Sequence, residues 1–556
     1  MLKELTGEYI LKVSKYEVIL PLINSDGAQT GEYALVNGLY GAVDITSQEE
    51  AQIISAALND PSKIHALSTS RIKLLTERGH ISENYVQEDE DLRIISNINT
   101  ILQTRSSVNV VLLPTYDCNF RCTYCCERHR LERGIEWLGR TMSKELVDSI
   151  FAQLKDYRER GFKVSECTLF GGEPLLARNK ELIRYICEKC REMELSISAI
   201  TNGYELDRFI DIIDEYKIKF LQITVDGIEE FHNRMRMLAG GGGSYAKIME
   251  NIALALEHDT HVSMRINVTK TNLSGLRAII DEVKSRGFTG HKNFSYYFKA
   301  AMDYFHMDTN YVSDIDIVKE LMRTGSSYEE AVRMNSSYKT AASNFAGWLD
   351  KTSWPYAKTK YCGAEGGMNV IGSDGLIYPC WNVIAMDDKA IGIVDDGKFL
   401  YDFSMAKWRT RTVDRMTPCK TCPILMLCGG GCAAENFNNL DNLSEGACAN
   451  IREIWSELAP RMLWKVRHEG FDSLKEFNDD NDDDVKEPDK PKTENISESL
   501  TVHSKYADNP ECMSLSLREF LSGFTPDERK ILMTTNDERE AFDILKAHNN
   551  KTNKTD

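Results

Sequence analysis

From Val108 onward, short apolar runs alternate with stretches in which apolar residues recur every three or four positions. The runs are Asn109 to Pro114, Glu166 to Phe170, Ser196 to Thr201, Phe220 to Val225, Ser263 to Val268 and Asn293 to Lys299. Each has the length and apolar content of a strand. The stretches between them, among them Lys144 to Arg158, Glu181 to Glu194 and Ser274 to Arg286, carry the period of amphipathic helices. Six strand–helix units predict an α/β fold with a parallel sheet, a partial (β/α)6 TIM barrel over residues 105–310. In barrels of this kind the chemistry sits at the carboxyl ends of the strands.

The two ends of the chain read differently. In residues 1–95, Tyr16 to Leu22 and Tyr33 to Leu39 predict a hairpin, and Ser47 to Leu58 and Ser68 to Arg78 predict helices. Together they predict a small winged-helix-like module; an ordinary N-terminal cap on the barrel fits the same pattern. After Phe477 comes an acidic run with Lys and Pro residues, read as a solvated linker over 478–498 because like charges repel one another. In the tail, 499–556, Ser514 to Phe524 and Pro526 to Lys546 predict helices, and Cys512 stands alone as a plain thiol.

Composition narrows the function classes. With 556 residues and 42% hydrophobic content the chain can build roughly two to four cored domains. A net charge of −18 and a pI near 5.3, with no basic patch, argue against a nucleic-acid partner, because phosphate binding draws on clustered Lys and Arg. No secretory signal and no apolar run near membrane-spanning length is present, so no membrane partner is expected and the cytoplasm is the default location. In that compartment fifteen cysteines point to metal or redox chemistry before disulfides.

Directly after the first predicted strand, Cys118, Cys122 and Cys125 stand in a CX3CX2C arrangement, with Tyr124 just before the third thiol. Three thiolates can hold three irons of a [4Fe–4S] cluster and leave the fourth iron open, whereas closed clusters take four cysteines. The competing readings are a zinc knuckle, which wants four ligands, and a disulfide pair, which wants an oxidising compartment. Cys126 does not fit the ligand spacing and reads as a pocket or packing thiol. The loop and its placement resemble the radical S-adenosylmethionine (SAM) superfamily. That resemblance implies that Cys118, Cys122 and Cys125 carry the catalytic cluster. Its open iron would chelate SAM, and one electron would split SAM into methionine and a 5′-deoxyadenosyl radical.

The resemblance extends along the barrel. Gly171, Gly172, Glu173 and Pro174 close the second strand and match the family's GGEP motif, implying contact with the SAM amino group; a plain turn is the alternative. Two glycines also let backbone approach a ligand closely. Thr201 and Asn202 at the third strand's end and Asp226 at the fourth's would surround the SAM ribose, although Asp226 also suits a helix N-cap. Arg265 on the fifth strand resembles the residue that pairs with the SAM carboxylate, a task suited to a bidentate guanidinium. An exposed strand arginine is the other reading.

Towards the C-terminus, Cys362, Gly375 and Cys380 form CX12GX4C, and Cys419, Cys422, Cys428 and Cys432 form CX2CX5CX3C, followed by Cys448. This order resembles the SPASM domain, placed here at 355–455, which holds two auxiliary [4Fe–4S] clusters. The resemblance assigns Cys362, Cys380 and Cys432 to the nearer cluster and Cys419, Cys422, Cys428 and Cys448 to the farther one. Paired zinc ribbons compete with that reading. Some family members supply a further cysteine to the nearer cluster, but Ala364 to Ser373 contain none. The nearer cluster would then have an open iron for a substrate thiolate, or be completed by Cys126, Cys187 or Cys190.

The N-terminal module looks like the leader-peptide-binding domains attached to peptide-modifying enzymes, which capture a peptide as an added strand on an exposed edge. The whole resemblance implies a peptide maturase that installs a crosslink, such as a Cys thioether, in a ribosomally made precursor peptide. Its electrons would come from a reductant such as a flavodoxin or ferredoxin. The alternative is an anaerobic sulfatase-maturating, formylglycine-forming enzyme; those begin close to their Cys loop, whereas here a long segment precedes Cys118. A non-catalytic Fe–S electron carrier is a third reading, and it would need neither the GGEP motif nor Arg265.

Overall fold

The computed structural model describes residues 11–104, 108–302, 310–349, 357–440, 442–448, 450–477, 506, 509–535 and 537–552; the acidic run at 478–498 lies outside them. The barrel strands form at Asn109–Leu112, Glu166–Leu169, Ser196–Thr201, Phe220–Thr224, His261–Val268 and Phe294–Ala300, in chain order across one parallel sheet. Val110, Leu112, Leu169, Ile197, Leu221, Ile223, Val262 and Ile266 are all buried. These buried positions carry the core, while polar residues such as Ser198, Gln222 and Arg265 stand between them. The helices Lys144–Glu159, Lys180–Glu192 and Leu276–Ser285 occupy the predicted crossovers. The first starts at Ser143, whose hydroxyl accepts the Leu146 N–H and so fixes its N-terminus. None of the described helices is long and apolar enough to cross a membrane.

The sheet does not end at the first barrel strand. Met368–Ile371 pairs with it in parallel, Met368 opposite Asn109 and Ile371 opposite Leu112, and Leu376–Tyr378, Gly392–Asp395 and Lys398–Tyr401 continue antiparallel to make ten strands. Cys362 and Cys380 flank the hairpin that begins this extension. The barrel and the start of the cysteine-rich region are thus held in one hydrogen-bonded register.

At the N-terminus, Glu17–Ile23, Gln29–Asn37 and Val43–Ser47 form a three-stranded antiparallel sheet, followed by the helices Gln48–Ala57, Thr69–Arg78 and Tyr85–Thr104. The hairpin and first two helices fall where the periodicity puts them. The third strand escapes it, because Asp44 and Thr46 interrupt the apolar run although both are buried. The edge of this sheet, expected to be exposed, is occupied by the tail. Ile45 donates its backbone N–H to the Glu511 carbonyl and Met513 donates to the Val43 carbonyl, both at 2.8 Å, with Asp44 opposite Cys512. For that reason only Leu517–Leu521 of the predicted 514–524 helix is helical. The next predicted helix divides into Pro526–Thr534 and Glu538–Thr552, which pack on Tyr85–Thr104.

Candidate functional site

The CX3CX2C loop leaves the first barrel strand and is stiffened by its own short ribbon: Phe120–Cys122 pairs antiparallel with Arg236–Leu238, Cys122 opposite Arg236. Upstream, the Asp117 carboxylate accepts the Cys118 N–H at 2.8 Å and pairs with Arg178 at 2.7 Å. The second strand's end locks onto the same loop, with the Glu173 N–H donating to the Asp117 carbonyl at 2.8 Å. A Cβ built on Gly172 would fall 2.1 Å from that carbonyl oxygen. Here, then, the missing Cβ lets protein backbone meet protein backbone, a use that its spacing to the thiols leaves out.

Glu173 is buried and accepts hydrogen bonds from the Thr201 hydroxyl at 2.5 Å, the Asn202 N–H at 2.7 Å and the Leu175 N–H at 2.9 Å. Burial pushes its carboxyl up to about 7, against the pull of those donors. Asn202 reaches on to the Asn119 side chain at 2.8 Å and lies 4.0 Å from the Cys118 sulfur. The GGE turn, the third strand's end and the Cys loop are therefore one hydrogen-bonded unit.

On the opposite wall, the Tyr124 hydroxyl donates to the buried Asp226 carboxylate and accepts from Arg236 at 2.8 Å and Asn267 at 3.1 Å. Asp226 also accepts the Asn267 N–H at 2.9 Å, and burial raises its carboxyl although Arg236 draws it down. It is not a helix cap: the next helix, Glu229–Met235, is capped at Ile228. Arg265 lines the cavity and is steadied by the Asn267 side chain at 2.8 Å.

All three loop thiols face a cavity of about 730 Å³. Gly171, Gly172, Glu173, Thr201, Asn202 and Arg265 also line it; Pro174 and Asp226 do not. The far wall comes from the cysteine-rich region, with Cys362, Cys380 and Cys432 on the cavity surface beside Met368 and Trp381. Cys419, Cys422, Cys428 and Cys448 are not on that surface; they form a second set whose members act electrostatically on one another. Cys126 lines the cavity too, whereas Cys187 and Cys190 are fully buried elsewhere, against Cys167.

Sequence reasoning missed three arginines. Arg236 and Arg130 are buried cavity-wall cations, Arg130 paired with Glu127, and both lie close enough to the loop thiols to act on them. Their Nε atoms are buried without a hydrogen-bond partner among the described residues. Arg411 is the hub of the cysteine-rich region. It pairs with buried Glu365 and donates to the carbonyls of Gly430, Gly431, Leu443 and Glu445, so that the segments carrying Cys362, Cys432 and Cys448 meet. Gly431 makes this possible: its φ is +74°, and a Cβ there would fall 1.8 Å from the Ala447 carbonyl. The nearest sequence signal for Arg236 is the short polar run from His232 to Arg236 after Asp226; nothing local marks Arg411.

The donor set fits [4Fe–4S] clusters and SAM. Burial pushes the Cys122 and Cys362 thiols up to about 11 and Cys419 up to about 12, so these ligands would lose their protons on binding iron. Backbone N–H groups of Phe120 and Asn382 already point at the Cys118 and Cys380 sulfurs, each at 3.4 Å, the kind of contact that tunes cluster potentials.

Residues 112–283 match the Radical SAM superfamily. A cysteine-type anaerobic sulfatase-maturating enzyme of Clostridium novyi is 22% identical over 383 residues, 60% of this chain and 90% of that one. The antilisterial bacteriocin subtilosin biosynthesis protein AlbA of Bacillus subtilis is 24% identical over 274 residues, 48% of this chain and 53% of its own length. Among solved structures, histidine-tagged anSMEcpe with bound AdoMet superposes with a TM-score of 0.52 at 18% identity, over 68% of this chain and 97% of that one, a likeness of fold. Matched domain, barrel and thiol loop agree: residues 112–283 form a domain of the radical SAM superfamily, and a second, cysteine-rich region faces its thiol loop.

Proposed function

We propose that this chain is a peptide maturase that removes a hydrogen from a ribosomally made precursor and closes a crosslink, a Cys thioether being the bond its cysteine walls suit. The observation that carries the reading is the shared cavity, lined on one side by Cys118, Cys122 and Cys125 and on the other by Cys362, Cys380 and Cys432. Cys118, Cys122 and Cys125 would hold a [4Fe–4S] cluster which, with SAM, would supply the radical chemistry that removes a hydrogen, and the other two cysteine sets would hold clusters that supply electron-accepting capacity.

The chain's own residues hold and orient. Glu173, with Gly171, Gly172, Thr201 and Asn202, would hold the SAM amino group, and its buried carboxylate would gain from a cation there. Arg265 would hold the SAM carboxylate, while Tyr124, bonded to Asp226, would brace the ribose side. Cys362, Cys380 and Cys432 offer only three thiolates, leaving one coordination position for a substrate thiol. Phe170 and Trp381, 5.9 Å apart, give the cavity an apolar wall against which a peptide side chain excludes water. The N-terminal module takes the leader segment of the precursor, and a flavodoxin or ferredoxin supplies electrons. AlbA, by its name a bacteriocin biosynthesis protein, supports a peptide substrate.

The test is the intact mass of a Cys-containing precursor peptide incubated anaerobically with reductant, SAM and the chain, beside a Cys118→Ala control. Loss of two hydrogens per site, with 5′-deoxyadenosine and only with Cys118 present, is the expected result. The second reading, formylglycine formation on a sulfatase, is favoured by the match to 90% of the Clostridium novyi enzyme's length. An unmodified peptide alongside 5′-deoxyadenosine, with a sulfatase peptide converted, would replace the first reading by the second.

A further inference from the structure

The strand Val43–Ser47 has two sides. Its inner side pairs with residues 32–36 along five positions. Its outer side is paired by the chain's own C-terminal segment through two backbone bonds, Ile45 N–H to Glu511 O and Met513 N–H to Val43 O, with a single bridge between them at Asp44 and Cys512. There the ladder stops: the Val43 N–H is taken by the Ser514 hydroxyl at 2.7 Å in place of a backbone carbonyl. The tail is thus an added strand, seated where a partner peptide would extend the sheet.

What fixes the segment is a short pattern of side chains. Arg71, itself tied to Glu50 and the Ile45 carbonyl, pairs with Glu511 at 2.9 Å; Glu511 is half exposed. Two residues on, Met513 is buried, and after two more Leu515 is buried. Behind the bridge, Arg78 bonds Asp44 at 2.6 Å, the Ser514 carbonyl at 2.9 Å and Glu519 at 3.1 Å. The polar hold on residues 511–513 is two ladder bonds, one partly exposed ion pair, a weak contribution, and the contact of the Cys512 thiol with Asp44. Met513 contributes one apolar anchor within the segment, and the larger part of the tail's apolar anchoring lies beyond it, at Leu515, Leu517, Phe520, Leu521 and Phe524. The strand segment is the weak part of the tail, and its backbone bonds are of a kind any extended chain can replace.

We propose that residues 511–513 are a resident strand that keeps the peptide edge of the N-terminal module closed, and that an extended peptide displaces it while the helices from Leu517 onward stay seated. The peptide class follows from the occupant: a carboxylate to meet Arg71, then an apolar side chain two residues later in the place of Met513. This rests on the maturase reading for what the edge receives, but the closure can be tested without any maturation product.

Cys512 reports it, being buried when the strand is seated. The loaded, full-length chain is alkylated under native conditions, and labelling at Cys512 is followed by peptide mass spectrometry beside Cys187, which is buried in the barrel. We expect Cys512 to label on the order of tenfold or more faster than Cys187, as a local opening does relative to global unfolding. The rate should rise further with a synthetic peptide of residues 509–517 carrying Ser at the Cys512 position, and not with the same peptide carrying Pro at the Met513 position. Equal labelling of Cys512 and Cys187, unmoved by the peptide, would make the strand a permanent part of the fold and overturn the proposal. Precursor conversion with a silent Cys512 defeats only the displacement; an opening edge with no peptide product defeats only the maturase reading.

Discussion

Replacing Gly172 with Ala tests whether the GGE turn positions the cluster loop. The new methyl would sit 2.1 Å from the Asp117 carbonyl oxygen and 2.5 Å from the Asp117 carbonyl carbon and the Tyr116 carbonyl oxygen. Carbon and oxygen need roughly 3.3 Å, so backbone must move by about 1 Å. The Asp117 carbonyl cannot simply swing aside, because it accepts the Glu173 N–H at 2.8 Å while the Asp117 carboxylate holds the Cys118 N–H. The displacement therefore passes to Cys118. Overpacking of this kind costs about 1–3 kcal/mol in stability, and a misplacement of about 1 Å at a reacting site costs roughly 10²-fold in rate. Gly172→Ala should fold, load less iron at the first site, and release 5′-deoxyadenosine about 10²-fold more slowly. Gly240→Ala is the control, since nothing lies within 4 Å of its Cβ position. Iron content, cluster EPR and the 5′-deoxyadenosine rate are the readouts. Normal loading and a normal rate in Gly172→Ala would refute the argument that this close approach sets the position of Cys118.

Three further outcomes are expected. Cys380→Ala should lose iron from the nearer auxiliary set yet still cleave SAM, giving 5′-deoxyadenosine without a crosslinked peptide; loss of SAM cleavage would show that the two cavity walls do not act separately. Arg411→Met leaves Glu365 buried without its ion-pair partner and takes a donor from four carbonyls, of which those of Gly430 and Glu445 keep the Ala447 N–H and the Asn436 side chain; it should destabilise the cysteine-rich region by about 3–5 kcal/mol, read as a lower melting temperature and loss of auxiliary iron, and a wild-type melt would refute this. His80 is buried between Glu17 at 2.9 Å and Asp44 at 2.5 Å; burial alone would lower its pKa, but the two carboxylates outweigh it and raise it to about 9. Because the folded value exceeds the ordinary 6.5, the stabilisation is fully present below pH 6.5 and is lost as pH rises through 9, by up to about 3 kcal/mol. Thermal melts from pH 7 to 10 should show this slope, and His80→Gln should flatten it; equal slopes would remove His80 as the cause.

The barrel was legible because its signals are local. Each strand is a short run rich in apolar and β-branched residues, each crossover helix carries one apolar stripe, and the three loop thiols are fixed by their spacing just past the first strand. The order of the later cysteines was legible for the same reason. What adjacency along the chain cannot encode is which distant segments share a face. Met368–Ile371 lies beside Asn109–Leu112 because the first barrel strand had an open edge to satisfy; that pairing brings Cys362 and Cys380 onto the wall opposite Cys118, and Arg411 joins the segment of Cys432 to them. Arg130, Arg236 and Arg411 look like ordinary surface arginines in the sequence; burial beside carboxylates, carbonyls and thiols makes them part of the site. The tail strand is the clearest case. Nothing in the sequence around Cys512 names its partner, and only the folded sheet, with one edge of Val43–Ser47 left unpaired, decides that it is seated there.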